Sequence, residues 1–354
     1  MYRFVVGTGR CGSTLLSEML AEHPDVLVLS EFFSVIDREG EFQPGACTGA
    51  EFSERLMRSP IINDVIGVRN DVLTARGAPG FSREIPAKLR DYRPLPGLNI
   101  ALTNLGGDTP ALCEAVLAEI ATYPRRAMRE HYRALFDWLA RRLGRAAGWI
   151  ERSGTSIELL GRYESHFPGA RYVHIHRHGP SVALSLRAHR YIALFASWQL
   201  DPPDAEEIRR TFAVPIDPDT DPVVRRLTSG MPSIPRFGEY WSWMLARGMR
   251  ALARIDPARY LPVRYEDLVG QPHETLARIG AFFELPVNPA WLDAAARRID
   301  SEAAPDRLGD LDPGTRDALE RACRPGMVLL GRENADGLDG TFVAMRHHLQ
   351  AMAR

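Results

Sequence analysis

The N-terminal sequence RFVVGTGRCGSTLLSEMLAEHPDVLVLSEFF (residues 3–33) carries the clearest secondary-structure signals in the chain. The run Arg3–Gly7 predicts a short buried strand, Ser13–Ala21 has apolar residues at helical spacing, and Val26–Leu29 predicts a second strand. A glycine-rich turn joins the first strand to the helix. Strand, turn, helix and strand in this order form a βαβ unit, which indicates a parallel sheet.

The same alternation returns further along the chain. Three more strands are predicted at Trp149–Glu151, Arg171–His176 and Tyr260–Val263, with helical stretches between and after them. Together with the first two strands they predict a three-layer α/β fold, in which a parallel sheet of about five strands is flanked by helices. The simplest organisation is one domain over residues 1–354.

Two segments break this pattern. Residues 34–108 are rich in glycine and proline, and in the segment 191–236 residues 201–236 are dense in proline and aspartate without periodicity. We predict that both are insertions that cap the substrate site. Tyr191, Phe195 and Trp198 could line an apolar pocket there, or could simply pack in a core.

Charge composition narrows the function classes. The chain has 44 Lys+Arg against 45 Asp+Glu, a net charge of −1, so we expect no nucleic-acid partner. Lys88 is the only lysine, so 43 of the 44 cations are arginine. Schiff-base chemistry would therefore depend on Lys88 alone.

Hydropathy and cysteine spacing suggest a cytoplasmic protein. No stretch reaches 18 uncharged apolar residues, so we expect no membrane span. Charges and glycines interrupt the first 20 residues, unlike a signal peptide. The four cysteines are scattered without a metal-binding spacing. The histidines at 174, 176 and 178 are interpreted as core and surface residues, so we predict no metal.

The turn after the first strand predicts an anion site. Backbone N–H groups of a glycine-rich turn and a helix N-terminus bind phosphate-like groups, and hydroxyl and guanidinium groups add donors. The alternative is a tight turn that Ser13 caps. The predicted binding residues are Gly9, Arg10, Cys11, Gly12, Ser13, Thr14 and Leu15.

Sequence pattern alone leaves two classes of nucleotide site open. The turn follows a P-loop, except that Ser13 stands where an NTPase needs lysine. It also satisfies the dinucleotide fingerprint at Gly7, Gly9 and Gly12, with Glu31 where a ribose-binding acid belongs. An FAD- or NAD-dependent oxidoreductase is therefore an alternative function.

A resemblance adds a third interpretation. The sequence GTGRCGSTLL (residues 7–16), followed by SEFF, resembles the 5′-phosphosulfate loop of sulfotransferases that use 3′-phosphoadenylyl sulfate (PAPS). That resemblance implies a P-loop-like fold, PAPS as sulfate donor and adenosine 3′,5′-bisphosphate as product.

A second motif favours this interpretation over the dinucleotide site. Arg177 follows the strand Arg171–His176, and Ser185 lies eight residues later on a predicted helix. An arginine at the carboxyl end of a parallel strand can reach an anion in the crevice there, so the pair fits a second phosphate. Arginine, seven residues and serine is also similar to the family's 3′-phosphate motif.

Further site residues follow from the resemblance. The segment VRYEDL (residues 263–268) is similar to the family's element near the adenine, which points to Tyr265. Many members use a histidine as general base, but no histidine lies between His23 and His131. Glu31 ends the second strand at the same sheet edge as the turn, and its SEFF context resembles bacterial trehalose-type sulfotransferases, whose base is a glutamate there, so we predict Glu31 as the base. The alternative is a surface acid or a partner for a nearby arginine. Arg10 would stabilise charge on the transferring group.

The acceptor is left open at this point, as a small-molecule, carbohydrate or lipid hydroxyl. The basic motif that cytosolic members place near the C-terminus is reduced to a weak echo at Gly331-Arg332. Sequence also leaves the oligomeric state open.

Overall fold

A five-stranded, all-parallel sheet forms the centre of the molecule, which confirms the predicted fold class. The computed structural model describes residues 1–36, 45–58, 61–81, 97–213, 216–299, 307–334 and 336. Lys88 and some residues of both predicted insertions lie outside these ranges.

The strands of the central sheet are β1 (Arg3–Val6), β2 (Val26–Ser30), β5 (Gly148–Arg152), β6 (Arg171–His176) and β7 (Tyr260–Arg264). Two short strands, β3 (Ala46–Cys47) and β4 (Arg126–Ala127), form a separate antiparallel pair.

Helices connect the strands throughout the described residues. In the first half of the chain these are α1 (Ser13–Ala21), α2 (Phe32–Ile36), α3 (Gly49–Leu56), α4 (Ile61–Gly67), α5 (Asn70–Ala75), α6 (Gly97–Thr103), α7 (Thr109–Ala121), α8 (Met128–Arg142) and α9 (Leu160–His166). In the second half they are α10 (Gly179–Arg187), α11 (Arg190–Leu200), α12 (Ala205–Thr211), α13 (Pro222–Thr228), α14 (Ile234–Leu252), α15 (Tyr265–Gly270), α16 (Pro272–Phe282), α17 (Pro289–Ala296) and α18 (Pro313–Leu329). Short 3₁₀ turns occupy Ser156–Leu159 and Pro257–Arg259.

The sheet order is β2-β5-β1-β6-β7. All four residues of β1 are buried, because this central strand is covered on both faces, as is usual in parallel sheets. The last strand, β7, is an edge strand and is less buried. It also contains Pro262, a residue that only an edge strand accommodates easily.

Two layers of helices cover the sheet. Helix α1 contacts β1, β2 and α17 on one face. On the other face, Phe4 of β1 stacks on Tyr163 at 4.5 Å between ring centroids and also contacts Trp149 and Phe167. Helix α14 closes this side by packing against α9, α10 and α18. The result is the three-layer arrangement that the sequence predicts.

The 34–108 segment divides between two cores. Phe52 and Leu56 of α3, with Leu98 and Leu102 of α6, are fully buried in the main core. Its remaining described helices instead pack on the 191–236 segment. This second apolar cluster comprises Val65, Ile66, Leu73, Ala78, Phe81, Ala193, Leu194, Val223, Val224 and Leu227. We call the body formed by α4, α5, α11, α12 and α13 the cap.

A buried ion pair also joins the two segments inside the cap. Arg69 is 1% exposed and donates to both carboxylate oxygens of Asp221 at 2.8–3.0 Å. Its remaining donors bond to the carbonyls of Val65 and Thr211, each at 2.7 Å. Tyr191 and Trp198 of α11 pack against the same cluster, so they contribute to a core.

Candidate active site

Every strand of the sheet ends at one edge, where predicted site residues or the glycine-rich turn follow four of the strands and Ser153, which was not predicted, follows the fifth. Gly7 follows β1, Glu31 follows β2, Ser153 follows β5, Arg177 follows β6 and Tyr265 follows β7. The sheet order therefore places Glu31 near one side of the edge, Tyr265 near the other and the glycine-rich turn in the middle. Ligands of open α/β sheets bind in the crevice at this edge.

The turn has an unusual backbone. Gly9, Arg10 and Gly12 have φ angles of 74°, 54° and 92°, in the left-handed region. Such turns direct successive N–H groups into a concavity that suits an anion. Gly12 is the N-cap residue of α1, and within the described residues no side chain forms a cap hydrogen bond to that helix. Ser13 therefore does not cap the helix.

Tyr265 packs directly on the turn. A Cβ atom at Gly12 would lie 2.1 Å from Cδ2 of the Tyr265 ring, so only glycine permits this approach. The centre of the Tyr265 ring also lies 4.6 Å from the guanidinium carbon of Arg177. The structure thus brings together three predicted residues from three different strand ends.

Two arginines of the crevice have no acidic partner in the part of the chain that the structure describes. Arg10 Nε donates to Ser185 Oγ at 3.0 Å, while Arg177 contacts the Tyr265 ring. Among the described residues neither forms an ion pair with an aspartate or glutamate. Burial, together with the nearby charge of Arg177, lowers the pKa of Arg10. Two cations beside the N-terminus of α1, with no acid paired to them among the described residues, are suited to binding an anion with more than one charged group.

Glu31 lies at this edge but is firmly held. Its φ angle is 62°, and its N–H donates to the carbonyl of Arg152 at 2.7 Å. Its carboxylate pairs with the Arg152 guanidinium, accepts a hydrogen bond from Ser34 Oγ, and accepts the Gly154 N–H at 2.8 Å. Arg152 is buried, whereas the Glu31 side chain is 32% exposed. Glu31 is therefore paired with an arginine, Arg152, as the alternative interpretation of this residue expected.

Comparison with known proteins identifies the family. The sequence model described as "Sulfotransferase family" matches residues 4–213 and 225–289. This match spans the sheet, the glycine-rich turn and most of the cap.

The chain belongs to the sulfotransferase family.

Solved structures give the same kind of match at low identity. This sulfotransferase is similar to the sulfotransferase domain of the Synechococcus PCC 7002 olefin synthase, with 18% identity over 99% of this chain and 94% of that chain, and a TM-score of 0.43. It is also similar to sulfotransferase STF9 from Mycobacterium avium, with 16% identity over 92% and 76% of the chains and a TM-score of 0.44. No curated protein matches significantly. The family assignment rests on the sequence model, and it does not favour the oxidoreductase alternative.

The remaining residues of the predicted loop have different environments. The Cys11 side chain is fully buried, and burial raises the pKa of its thiol, so this residue offers a ligand only its backbone. Ser13 is buried, Leu15 is half-buried and Thr14 is exposed. The loop of this sulfotransferase therefore presents amides and Arg10 to the crevice, rather than a row of equivalent side chains.

The histidines after the second motif lie deeper than expected. His174 and His176 are both buried, because both faces of β6 are covered and every residue from Tyr172 to His176 is buried. Burial lowers the pKa of both rings. In the part of the chain that the structure describes, no group of three His, Cys, Asp or Glu side chains could hold a metal ion. Within the same residues, no helix is long and apolar enough to cross a membrane.

Gly331-Arg332 lies close to the predicted adenine end of the site. Arg332 donates to Glu266, the residue after Tyr265, at 2.6 and 3.1 Å. Beside it a cavity of about 620 Å³ opens, with a strongly basic lining. Its lining residues are His176, Pro262, Arg264, Asp267, Arg278, Met327, Leu330, Gly331 and Arg332.

Sequence reasoning assigned no role to the two charged residues that end β5. Arg152 is the partner of Glu31, and Glu151 is a completely buried carboxyl. Burial raises the pKa of Glu151 to about 8, with a smaller contribution from the charge of Glu31. The available signal was the pair of charges in WIERS (residues 149–153), placed where a buried strand meets the ligand-binding edge.

The raised pKa of Glu151 predicts a pH-dependent stability difference. The folded protein keeps a proton that the unfolded chain releases above about pH 4.5, so stability should fall as pH rises from about 4.5 to about 8. Glu151→Gln cannot ionise, so its unfolding free energy relative to wild type should rise by a few kcal/mol over that interval, at about 1.4 kcal/mol per pKa unit. Urea unfolding of both proteins at pH 5 and pH 9 measures the difference. An equal difference at both pH values would contradict the shift.

Proposed function

We propose that the protein transfers a sulfuryl group from PAPS to a hydroxyl group of a small-molecule, carbohydrate or lipid acceptor. The observation that carries this proposal is the pair of arginines, Arg10 and Arg177, which lie at one sheet edge without an acidic partner among the described residues. One belongs to the anion-binding turn and the other to the next strand end, so they suit a ligand with two separate anionic groups.

The crevice residues fit the two ends of this donor. The amides of the turn and α1, with Arg10, would hold the 5′-phosphosulfate, while Arg177 and Ser185 would hold the 3′-phosphate. Tyr265 lies against both Gly12 and Arg177, where it would contact the adenine. The Arg10–Ser185 hydrogen bond links the two halves of this site.

Glu31 is proposed as the general base. Sulfuryl transfer removes the acceptor's hydroxyl proton, and the Glu31 carboxylate at this edge would take it. Arg152 and the Gly154 N–H fix the orientation of that carboxylate. Arg10 remains charged throughout, so it stabilises negative charge on the leaving phosphate without acting as a proton donor.

The cap is proposed to bound the acceptor site. Ile192 of α11 reaches the turn, since its Cδ1 lies 3.7 Å from the position a Cβ on Gly9 would take. Asn104, beyond α6, donates to the carbonyl of Ser30 at 3.3 Å, next to Glu31. Both predicted insertions therefore contact the edge where the transfer would take place, and their shape would select the hydroxyl.

A cytoplasmic location is part of the proposal. All four cysteines (Cys11, Cys47, Cys113 and Cys323) are buried and unpaired in the structure. Free buried thiols are typical of proteins from reducing compartments.

Ligand-induced thermal stabilisation and an activity assay test the proposal. Adenosine 3′,5′-bisphosphate should raise the melting temperature, whereas ATP–Mg²⁺, NAD and FAD should have little effect. Labelled sulfate should move from PAPS to at least one member of a panel of polyols, sugars and lipid alcohols. Stabilisation by ATP–Mg²⁺ or NAD alone, or flavin absorbance in the purified protein, would overturn the assignment.

Arg177→Ala should weaken bisphosphate binding about 10- to 100-fold, since a hydrogen bond to a charged group contributes about 1.5–3 kcal/mol. AMP, which lacks the 3′-phosphate, should bind wild type and variant with similar affinity. Calorimetric titration of both nucleotides into both proteins measures this ratio. Equal losses for the two nucleotides would show that Arg177 does not contact the 3′-phosphate.

A further inference from the structure

The backbone conformation of Glu31 needs support from its surroundings. A non-glycine residue at φ 62° is strained, and such strain persists only where neighbouring contacts enforce it. Helix α2 begins at the next residue, so the orientation of its first turn determines where the Glu31 side chain lies. The contacts that hold this first turn of α2 therefore also orient the Glu31 carboxylate.

Ser153 holds the first turn of α2. Its Oγ accepts the backbone N–H groups of Phe33 and Ser34, each at 3.0 Å. Its own hydroxyl proton is donated to Oε1 of Glu151 at 2.5 Å. A serine hydroxyl has one proton and two lone pairs, so these three bonds use its full capacity. The direction of the hydroxyl proton therefore depends on an acceptor at Glu151.

Glu151 is buried where no solvent reaches it. Its exposure is 0%, and Tyr163 Oη lies 3.4 Å from Oε2. Phe4 of β1 and Leu29 of β2, its partners in the sheet register, carry no charge. Burying a carboxyl group completely costs folding free energy, so a functional role explains the presence of Glu151 better than a contribution to stability does.

We propose that Glu151, acting through Ser153, is a positioning residue that keeps Glu31 in its left-handed conformation and so aims its carboxylate into the crevice. This inference rests on the proposed role of Glu31 as the base. Glu151 itself does not touch a substrate. Its contribution is to accept the Ser153 proton and so leave both serine lone pairs for the amides of Phe33 and Ser34.

Three variants test the inference in the full-length protein. Ser153→Ala and Glu151→Leu should each lower kcat about 10- to 100-fold, the scale of a misplaced reacting group, while bisphosphate affinity stays unchanged. Glu151→Gln keeps an acceptor for Ser153 and should stay within about threefold of wild type. Ser156→Ala is the matched control, because Ser156 Oγ is buried with no hydrogen-bond partner among the described residues. That variant should have wild-type kcat.

A second readout does not depend on activity. Hydrogen exchange of the peptide backbone at residues 31–36 should accelerate in Ser153→Ala and Glu151→Leu, and not in Glu151→Gln or Ser156→Ala. Unchanged kcat and exchange in Ser153→Ala would overturn the inference. So would a kcat for Glu151→Gln as low as that for Glu151→Leu. A Glu31→Gln variant with full turnover would instead overturn the role of Glu31, which separates the two failures.

Discussion

Glu31→Gln should reduce kcat about 10²- to 10⁴-fold, the range that a positioned general base contributes. Glutamine has nearly the same shape and can keep the contacts with Ser34 and Gly154 on its oxygen. Its NH₂ group then faces the Arg152 guanidinium, so the ion pair is lost, and it cannot accept the acceptor's proton. Because the donor site lies on other residues, affinity for adenosine 3′,5′-bisphosphate should stay within about twofold. Turnover with saturating PAPS and calorimetric titration of the bisphosphate measure the two quantities.

The chain offers a matched control for this change. Glu284 also has a positive φ, 52°, and also pairs with an arginine, since Arg171 Nη2 lies 2.7 Å from its Oε1. That pair lies away from the ligand-binding edge, after helix α16. Glu284→Gln should therefore keep wild-type kcat. Equal losses in Glu31→Gln and Glu284→Gln would point to general destabilisation, and unchanged turnover in Glu31→Gln would exclude it as the base.

The largest stability effect is expected at Arg69. Arg69→Met leaves the Asp221 carboxylate buried without a cation, and it also leaves the carbonyls of Val65 and Thr211 without donors. Breaking one partner of a buried pair costs about 3–5 kcal/mol. Urea unfolding followed by circular dichroism should show this loss, as a lower midpoint or as separate early unfolding of the cap.

A double variant separates the charge from the packing. Asp221→Asn removes the negative charge and keeps the side-chain oxygen that accepts the Val224 N–H at the start of α13. Combined with Arg69→Met, it should recover a large part of the stability lost in the single variant, because no buried charge remains unpaired. Arg209→Ala, in an exposed pair with Glu206, should leave stability almost unchanged. No recovery in the double variant would contradict the electrostatic explanation.

Local sequence patterns were sufficient to predict the strands of the central sheet. Each of the five strands lies within one residue of its predicted ends. Buried parallel strands are short runs of apolar residues bounded by turns, so the pattern contains nearly all the information that defines them. The cap was harder to predict, because its helices are short and each buries only a narrow apolar stripe against the other segment. Their partners are more than 100 residues away in sequence.

For the candidate site, too, the sequence predicted one part and not the other. Placing Glu31, Arg177 and Tyr265 at one edge required only their positions after parallel strands, since all such ends meet on one side of a sheet. The contacts between them were not predictable. That Arg10 reaches Ser185, and that the Tyr265 ring lies on Gly12, depend on strand order and on loop conformations with positive φ.

The amino-acid sequence by itself determined the fold class, the glycine-rich turn between β1 and α1 and the family motifs, because these depend on residues close together in the chain. The tertiary structure alone decided which charges are paired. It joins Glu31 to Arg152 and Arg69 to Asp221, and it leaves Arg10 and Arg177 without acids among the described residues. Electrostatic interaction depends on distance and burial, which only the folded chain defines. For the same reason the complete burial of Glu151 could not be predicted from the sequence. It follows from the position of β5 between β2 and β1 in the sheet.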